Sequence, residues 1–166
     1  LSYGDTLLHL IAACDKTGET MKTVLELIRE DQYYHLLSVQ ASIYRKTPLH
    51  WVCHYNNYAV FEVIMGLVTS EQTRYKLLQI PDSVGGYTPL NEAAWYNATQ
   101  SIRIIADSVS SHHLIHLLTI TNMWGRTPVQ TAARLGNQET VKLLQGYHTT
   151  ANLIVRALQL TDYTGK

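Results

Sequence analysis

Eight histidines and two cysteines are the side chains of this 166-residue chain best suited to hold a metal or move a proton. His50 and His54 stand four apart with Cys53 between them, half of a metal shell at helical spacing. His112, His113 and His116 fall within one helical turn, and His112 and His116 share a face. Closed zinc sites pair four ligands, and no carboxylate or cysteine lies close in sequence to complete this set. The spacing predicts a solvated helix end rather than a metal centre. There is no G-x-S-x-G elbow, no glycine loop followed by Lys-Ser/Thr and no H-E-x-x-H. The glycines of "SVGGY" (83 to 87) fit a tight turn. The residues therefore point to no enzyme, no metal and no cofactor.

Composition narrows the remaining classes. Apolar residues make up 46% and charged residues 16%, a folding sequence with enough length for a sizeable core. Lys plus Arg and Asp plus Glu number 13 each, so the chain lacks the positive surplus that nucleic acid or an anionic membrane attracts. Cys14 and Cys53 form no disulfide framework, which fits reduced thiols and a cytoplasmic or nuclear setting. No apolar run reaches membrane-spanning length, no signal-peptide pattern opens the chain, and the first residue is Leu1 rather than Met. The expectation is a piece of a longer protein.

The histidines belong to a repeat. "GDTLLHLIA" begins at Gly4, "RKTPLHWVC" at Arg45, "GYTPLNEAA" at Gly86 and "GRTPVQTAA" at Gly125. Their threonines, Thr6, Thr47, Thr88 and Thr127, are spaced 41, 41 and 39 apart. "HLLSV" at 35, "KLLQI" at 76, "HLLTI" at 116 and "RALQL" at 156 keep the same register. Two motifs in one register mark a repeat array. "TDYTGK" (161 to 166) matches the turn before each threonine, so a further repeat is expected to begin at 164–166.

Each motif reads as a helix start. Thr caps the first turn, and Pro sits just inside it, where its fixed φ helps and its missing N–H costs nothing. Leu8, Leu49, Leu90 and Val129 then face the core, followed by small residues (Ala12, Cys53, Ala94, Ala133) where helices approach. "AVFEVIMGLV" (59 to 68), "SIRIIADSV" (101 to 109) and "RLGNQETVKLL" (134 to 144) supply second helices, with Val63-Ile64 and Ile104-Ile105 as core. The LL segment lengthens the second helix or adds a short third one, with the tyrosines of "DQYYHLL" covering its back.

These residues resemble the ankyrin-repeat family across essentially the whole chain, most closely in "KTPLHWVCHYNN" and "RTPVQTAARLGNQETVKLL". The resemblance implies an all-α solenoid of helix-turn-helix units with projecting loops. One domain, 1-166, would hold repeats at approximately 3-43, 44-84, 85-123 and 124-163. The period of about 40 exceeds the roughly 33 of ordinary ankyrin repeats. The first repeat lacks Pro after Thr6 and carries an insertion in "CDKTGETMKTVLEL", while Asn91 and Gln130 replace the motif histidine. In the family that histidine, here His9 and His50, links neighbouring turns.

The resemblance also implies a concave face lined by the fourth, seventh and eighth residues after each threonine. On this chain those are Leu10, Ala13 and Cys14; Trp51, His54 and Tyr55; Glu92, Trp95 and Tyr96; Thr131, Arg134 and Leu135. Tyr44, Tyr87 and Trp124 add loop tips, so all three tryptophans fall on one surface. Trp and Tyr anchor protein interfaces at low entropic cost. The expected function is a scaffold gripping another protein or peptide through Trp51, His54, Tyr55, Trp95, Tyr96, Arg134, Tyr44, Tyr87 and Trp124, with no nucleic acid and no membrane contact. The opening repeat is also similar to the inhibitor-of-kappa-B family, which would imply a transcription-factor partner. A third reading is the cytoplasmic ankyrin region of a channel or multidomain protein.

Overall fold

A computed structural model describes residues 4–41 and 44–164, with side chains as far as 156. Helices follow one another in threes. The first unit holds α1 (Leu7–Cys14), α2 (Glu19–Glu26) and, after a 3-10 turn at Glu30–Gln32, α3 (Tyr33–Leu37). The second holds α4 (Pro48–His54), α5 (Tyr58–Leu67) and α6 (Glu71–Leu78). The third holds α7 (Pro89–Trp95), α8 (Thr99–Asp107) and α9 (Ser111–Thr119). The fourth is α10 (Pro128–Arg134) and one long helix, α11 (Gln138–Thr164). First helices pack on first helices and second on second, so like elements stack unit after unit.

The extra LL segment is thus a separate third helix in three units and a continuation of the second helix in the fourth. Local backbone geometry separates the two outcomes. Val68 is extended and Ser70 caps α6, its hydroxyl accepting from Thr73 N; Ser110 is likewise extended before α9. Between 138 and 156 there is no proline and no positive-φ residue, and the Thr149 hydroxyl bonds back to Gln145 O at 3.0 Å inside the helix. Of "RALQL", all but Arg156 lies beyond the described side chains, and the expected start of a further repeat reaches 165–166, outside the described residues.

The four threonines all take extended backbone at a helix start, with ψ between 165 and 167°. The motif histidine completes the cap. His50 Nδ1 accepts from Thr47 N (3.1 Å) and faces the Thr47 hydroxyl at 2.8 Å, while Nε2 reaches Tyr87 O at 2.8 Å. His9 repeats the pattern on Thr6 and reaches Lys46 O at 2.9 Å. An Nδ1 that accepts from a backbone N–H and an Nε2 that donates to a carbonyl define one neutral tautomer. Asn91, shorter, bonds Thr88 Oγ1 and reaches Ile120 O at 3.2 Å instead.

Asn56 and Asn97 (φ 49 and 55°) and Gly136 (φ 75°) turn the chain left-handed after the first helices of units two, three and four. In unit one the insertion is a loop built by Asp15. Its Oδ1 accepts from Thr17 N and Gly18 N, and its Oδ2 from Met21 N. Gly18 has φ 81°, and a Cβ there would lie 2.8 Å from Val63 and 2.9 Å from Ala59 O. Asparagines also tie units together: Asn57 donates to Ala12 O and Asn137 to Ala94 O, each at 3.0 Å.

The core is continuous through the stack, with Met21, Leu25, Leu49, Phe61, Ile64, Leu77, Leu90, Ile105 and Leu117 essentially sealed. Each such side chain contributes about 1.5–3 kcal/mol by leaving water. Val63 and Ile104 are only half-buried, so in each expected core pair the second residue alone is interior. Ala12, Cys53 and Ala94 are sealed as close-approach positions, but Ala133 is exposed, with no described element stacked on that side of α10. Tyr33 is buried and donates to Leu25 O at 2.9 Å, whereas Tyr34 is exposed; the pair does not jointly cover the back of the turn.

Candidate functional site

The stacking of α4 against α7 sets their C-terminal turns side by side, and the loops before α4, α7 and α10 close over them. Between these elements lies a cavity of about 530 Å³. Trp51, His54 and Tyr55 enter from α4, Trp95 and Tyr96 from α7, and Tyr44, Tyr87 and Trp124 from the loops. Eight of the nine expected contact residues thus meet in one place. Arg134 does not: it is exposed at the end of α10 and outside the lining.

The rings form two connected sets on the cavity wall. Trp51 lies 5.7 Å from Tyr55, His54 lies 4.8 Å from Tyr55 and 4.2 Å from Tyr96, and Tyr87 lies 5.6 Å from Trp95 and 5.8 Å from Trp124. Tyr44, Tyr55, Trp95, Tyr96 and Trp124 are each 39–53% exposed. Tyr87 corrects the expectation of an exposed tip. It is 8% exposed and serves as the buried ring on which the two tryptophans lean. Gly85 permits that contact, since a Cβ would stand 2.4 Å from the Tyr87 ring and 2.7 Å from the Trp124 ring. The glycine pair therefore does two jobs: Gly86 takes φ 64° for the turn, and Gly85 leaves room for rings.

Charge enters where the family resemblance implied an exposed face. Glu92 is 2% exposed and Thr131 is also 2% exposed, so the fourth position points inward in units three and four. Glu92 Oε1 pairs with Lys46 Nζ and accepts from His54 Nδ1 at 3.2 Å. Burial pushes this carboxyl up, but the His54 hydrogen bond and the Lys46 charge outweigh it and hold the group below its ordinary value. Burial, followed by Glu92, pushes the Tyr87 and Tyr96 phenols up, so both stay neutral. Asp82 also lines the cavity: its Oδ1 accepts from Gly85 N (3.1 Å) and Tyr87 N (3.0 Å), and its buried Oδ2 has no partner. Sequence reasoning missed Lys46, Asp82 and Val84 as lining residues, and each sits in a loop just before a motif or a glycine pair.

In the second histidine cluster His112 and His116 are exposed, as expected of a solvated helix end, but His113 is half-buried and held by another unit. Glu71 Oε1 accepts from His113 Nδ1 at 2.7 Å and from Ser110 N at 2.8 Å. Tyr75 stacks on His113 at 3.8 Å, and its hydroxyl meets His116 Nδ1 at 2.9 Å. This is a clasp between α6 and α9. Among the described residues no three His, Cys, Asp or Glu side chains converge as a metal shell. No described helix is long and apolar enough to cross a membrane.

Known proteins match in the same sense. The family profile described as Ankyrin repeat matches residues 124–157. A chain from the crystal structure of the yeast ribosomal protein Rps3 in complex with its chaperone Yar1 superposes with a TM-score of 0.66. The match has 16% identity and covers 81% of this chain and 86% of that one. With the helix stack and the histidine-capped threonines, these decide the matter. The chain folds as an ankyrin-repeat stack, and its fourth repeat matches the family itself. Human NF-kappa-B inhibitor alpha is 27% identical over 141 residues, which is 85% of this chain and 41% of that protein. The ankyrin stack thus spans about two fifths of that relative's length.

Proposed function

We propose that this ankyrin stack is a protein-interaction scaffold that holds a partner protein at the aromatic cavity between its second, third and fourth units. The observation that carries this reading is the half-exposed ring wall. Five large aromatics stay open to solvent around one cavity, a surface that soluble proteins rarely leave uncovered without use. Lys46, Glu92 and His54 are tied to one another, and burial raises the Cys53 thiol far above its ordinary range. That arrangement suits binding rather than catalysis. The likeness to human NF-kappa-B inhibitor alpha favours a second, narrower reading, a transcription factor as the partner.

The test is cross-linked capture from cell lysate with the wild type and a Trp95→Ala/Tyr96→Ala variant. Both side chains are about 40% exposed and lie outside the sealed core, so the variant is expected to keep the wild-type circular dichroism with a lowered melting temperature. A partner held by the wild type and lost by the folded variant supports the reading. Equal capture by both refutes it, and a captured transcription factor selects the narrower reading.

A further inference from the structure

We infer that the cavity takes an arginine side chain of the partner, stacked among the rings and paired with Asp82. This rests on the interaction reading above and adds the chemistry of the group recognised. Three observations point to a cation. The lining is dominated by π faces, which attract positive charge through the ring quadrupole. Its carboxylates, Glu92 and Asp82, outnumber its one fixed cation, Lys46. Arg126 and Arg134 act electrostatically on Tyr87 but stand outside the lining.

The third observation separates the two carboxylates. Glu92 is already compensated by Lys46 and His54. Asp82 is not: it is 6% exposed, its Oδ1 is committed to the Gly85 and Tyr87 amides, and its Oδ2 is unpartnered. A buried carboxylate with no cation beside it is costly, and a cationic guest in the adjoining cavity offsets that charge on binding. Arginine fits better than lysine. Its planar guanidinium stacks on aromatic faces and is weakly hydrated, while the lysine ammonium is a compact charge that holds its water. A cavity of about 530 Å³ has room for that long side chain and its flanking backbone.

The indole N–H signals of Trp51, Trp95 and Trp124 give three reporters, all in the lining. The probes are nine-residue Gly/Ser peptides with a central arginine, citrulline, norleucine or trimethyllysine, titrated into the ¹⁵N-labelled chain. The arginine peptide is expected to shift the indole signals saturably. Citrulline, the same shape without charge, is expected to bind at least about tenfold more weakly, as is the arginine peptide to Asp82→Asn. The Asn variant keeps the Oδ1 acceptor of the turn, and the citrulline comparison on the wild type needs no variant.

Equal binding of norleucine and arginine overturns the cation. Trimethyllysine binding as tightly as arginine overturns the guanidinium, and unchanged affinity in folded Asp82→Asn overturns the pairing. Absence of any arginine shift while Trp95→Ala/Tyr96→Ala still loses its protein sinks this inference and leaves the interaction reading standing. Arginine binding with no protein lost does the reverse.

Discussion

Replacing His50 by Ala tests the joint between the second and third units. The ring is fully buried and makes two contacts to Thr47 and one, at 2.8 Å, to Tyr87 O in the next unit. Each net hydrogen bond contributes about 1 kcal/mol, and a buried carbonyl left without a donor costs about 1–3 kcal/mol. His50→Ala is therefore expected to cost about 3–5 kcal/mol. His50→Asn copies what the third unit does with Asn91, keeps a threonine contact and is expected to cost about 1–2 kcal/mol. A pH series adds a second arm. Burial lowers the His50 pKa from its ordinary value of 6.5, against the opposing pull of the Tyr87 carbonyl, Glu92 and Asp82. The native state thus prefers the neutral ring. Stability from His50 is complete above about pH 6.5 and falls as pH drops from there towards the folded value, because the unfolded chain binds the proton first. Urea melts followed by circular dichroism and by tryptophan fluorescence read both arms, and coincident transitions license the free energies. A cost below about 1 kcal/mol for His50→Ala would refute the hydrogen-bond accounting. So would a gap between wild type and variant that fails to narrow between pH 7 and 5.

The clasp between α6 and α9 predicts the opposite part of the pH scale. The Ser110 amide and the His113 ring hold Glu71 down to about 2. Its contribution is present above the ordinary value of 4.5 and is lost as pH falls from there towards 2, so Glu71→Gln should melt lower than wild type at pH 6 and equally at pH 2. The side chain is 40% exposed and solvent-screened, so the difference should be of the order of 2 °C, and one that persists at pH 2 would sink the assignment. Thiol titration with an aromatic disulfide should count one fast equivalent, exposed Cys14, and a second only after unfolding, since burial seals Cys53 and raises its pKa far above the ordinary value. Two fast equivalents in the native state would contradict the sealed position.

The architecture was legible because its causes are local and repeated. Thr at a helix start, followed by Pro in all units but the first, a Leu or Val two residues on, and a left-handed Asn or Gly after the first helix of units two to four each act within one turn of chain and recur one period later. The third helices start at Ser70 and Ser110, yet Thr150 stands at the same place in the period inside the continuous α11, so residue type alone does not set that break. What escaped was contact across units. Glu92 looked like a face residue because its partner Lys46 is 46 residues away, and His113 looked solvated because Glu71 is 42 residues away. Both separations are close to one period, so a polar residue's neighbours in such an array are to be sought one repeat upstream. Gly85 was opaque for a different reason: its role is to be small beside two rings that reach it from elsewhere.

The cavity belongs to no single repeat. Its walls come from the second and third units, and Trp124 leans in from the loop before the fourth. Docking of neighbouring units and formation of the site are consequently one equilibrium. A guest that fills the cavity must stiffen both junctions by the free energy of its own binding, and loosening either junction, even at the buried end of His50, must weaken the guest to match.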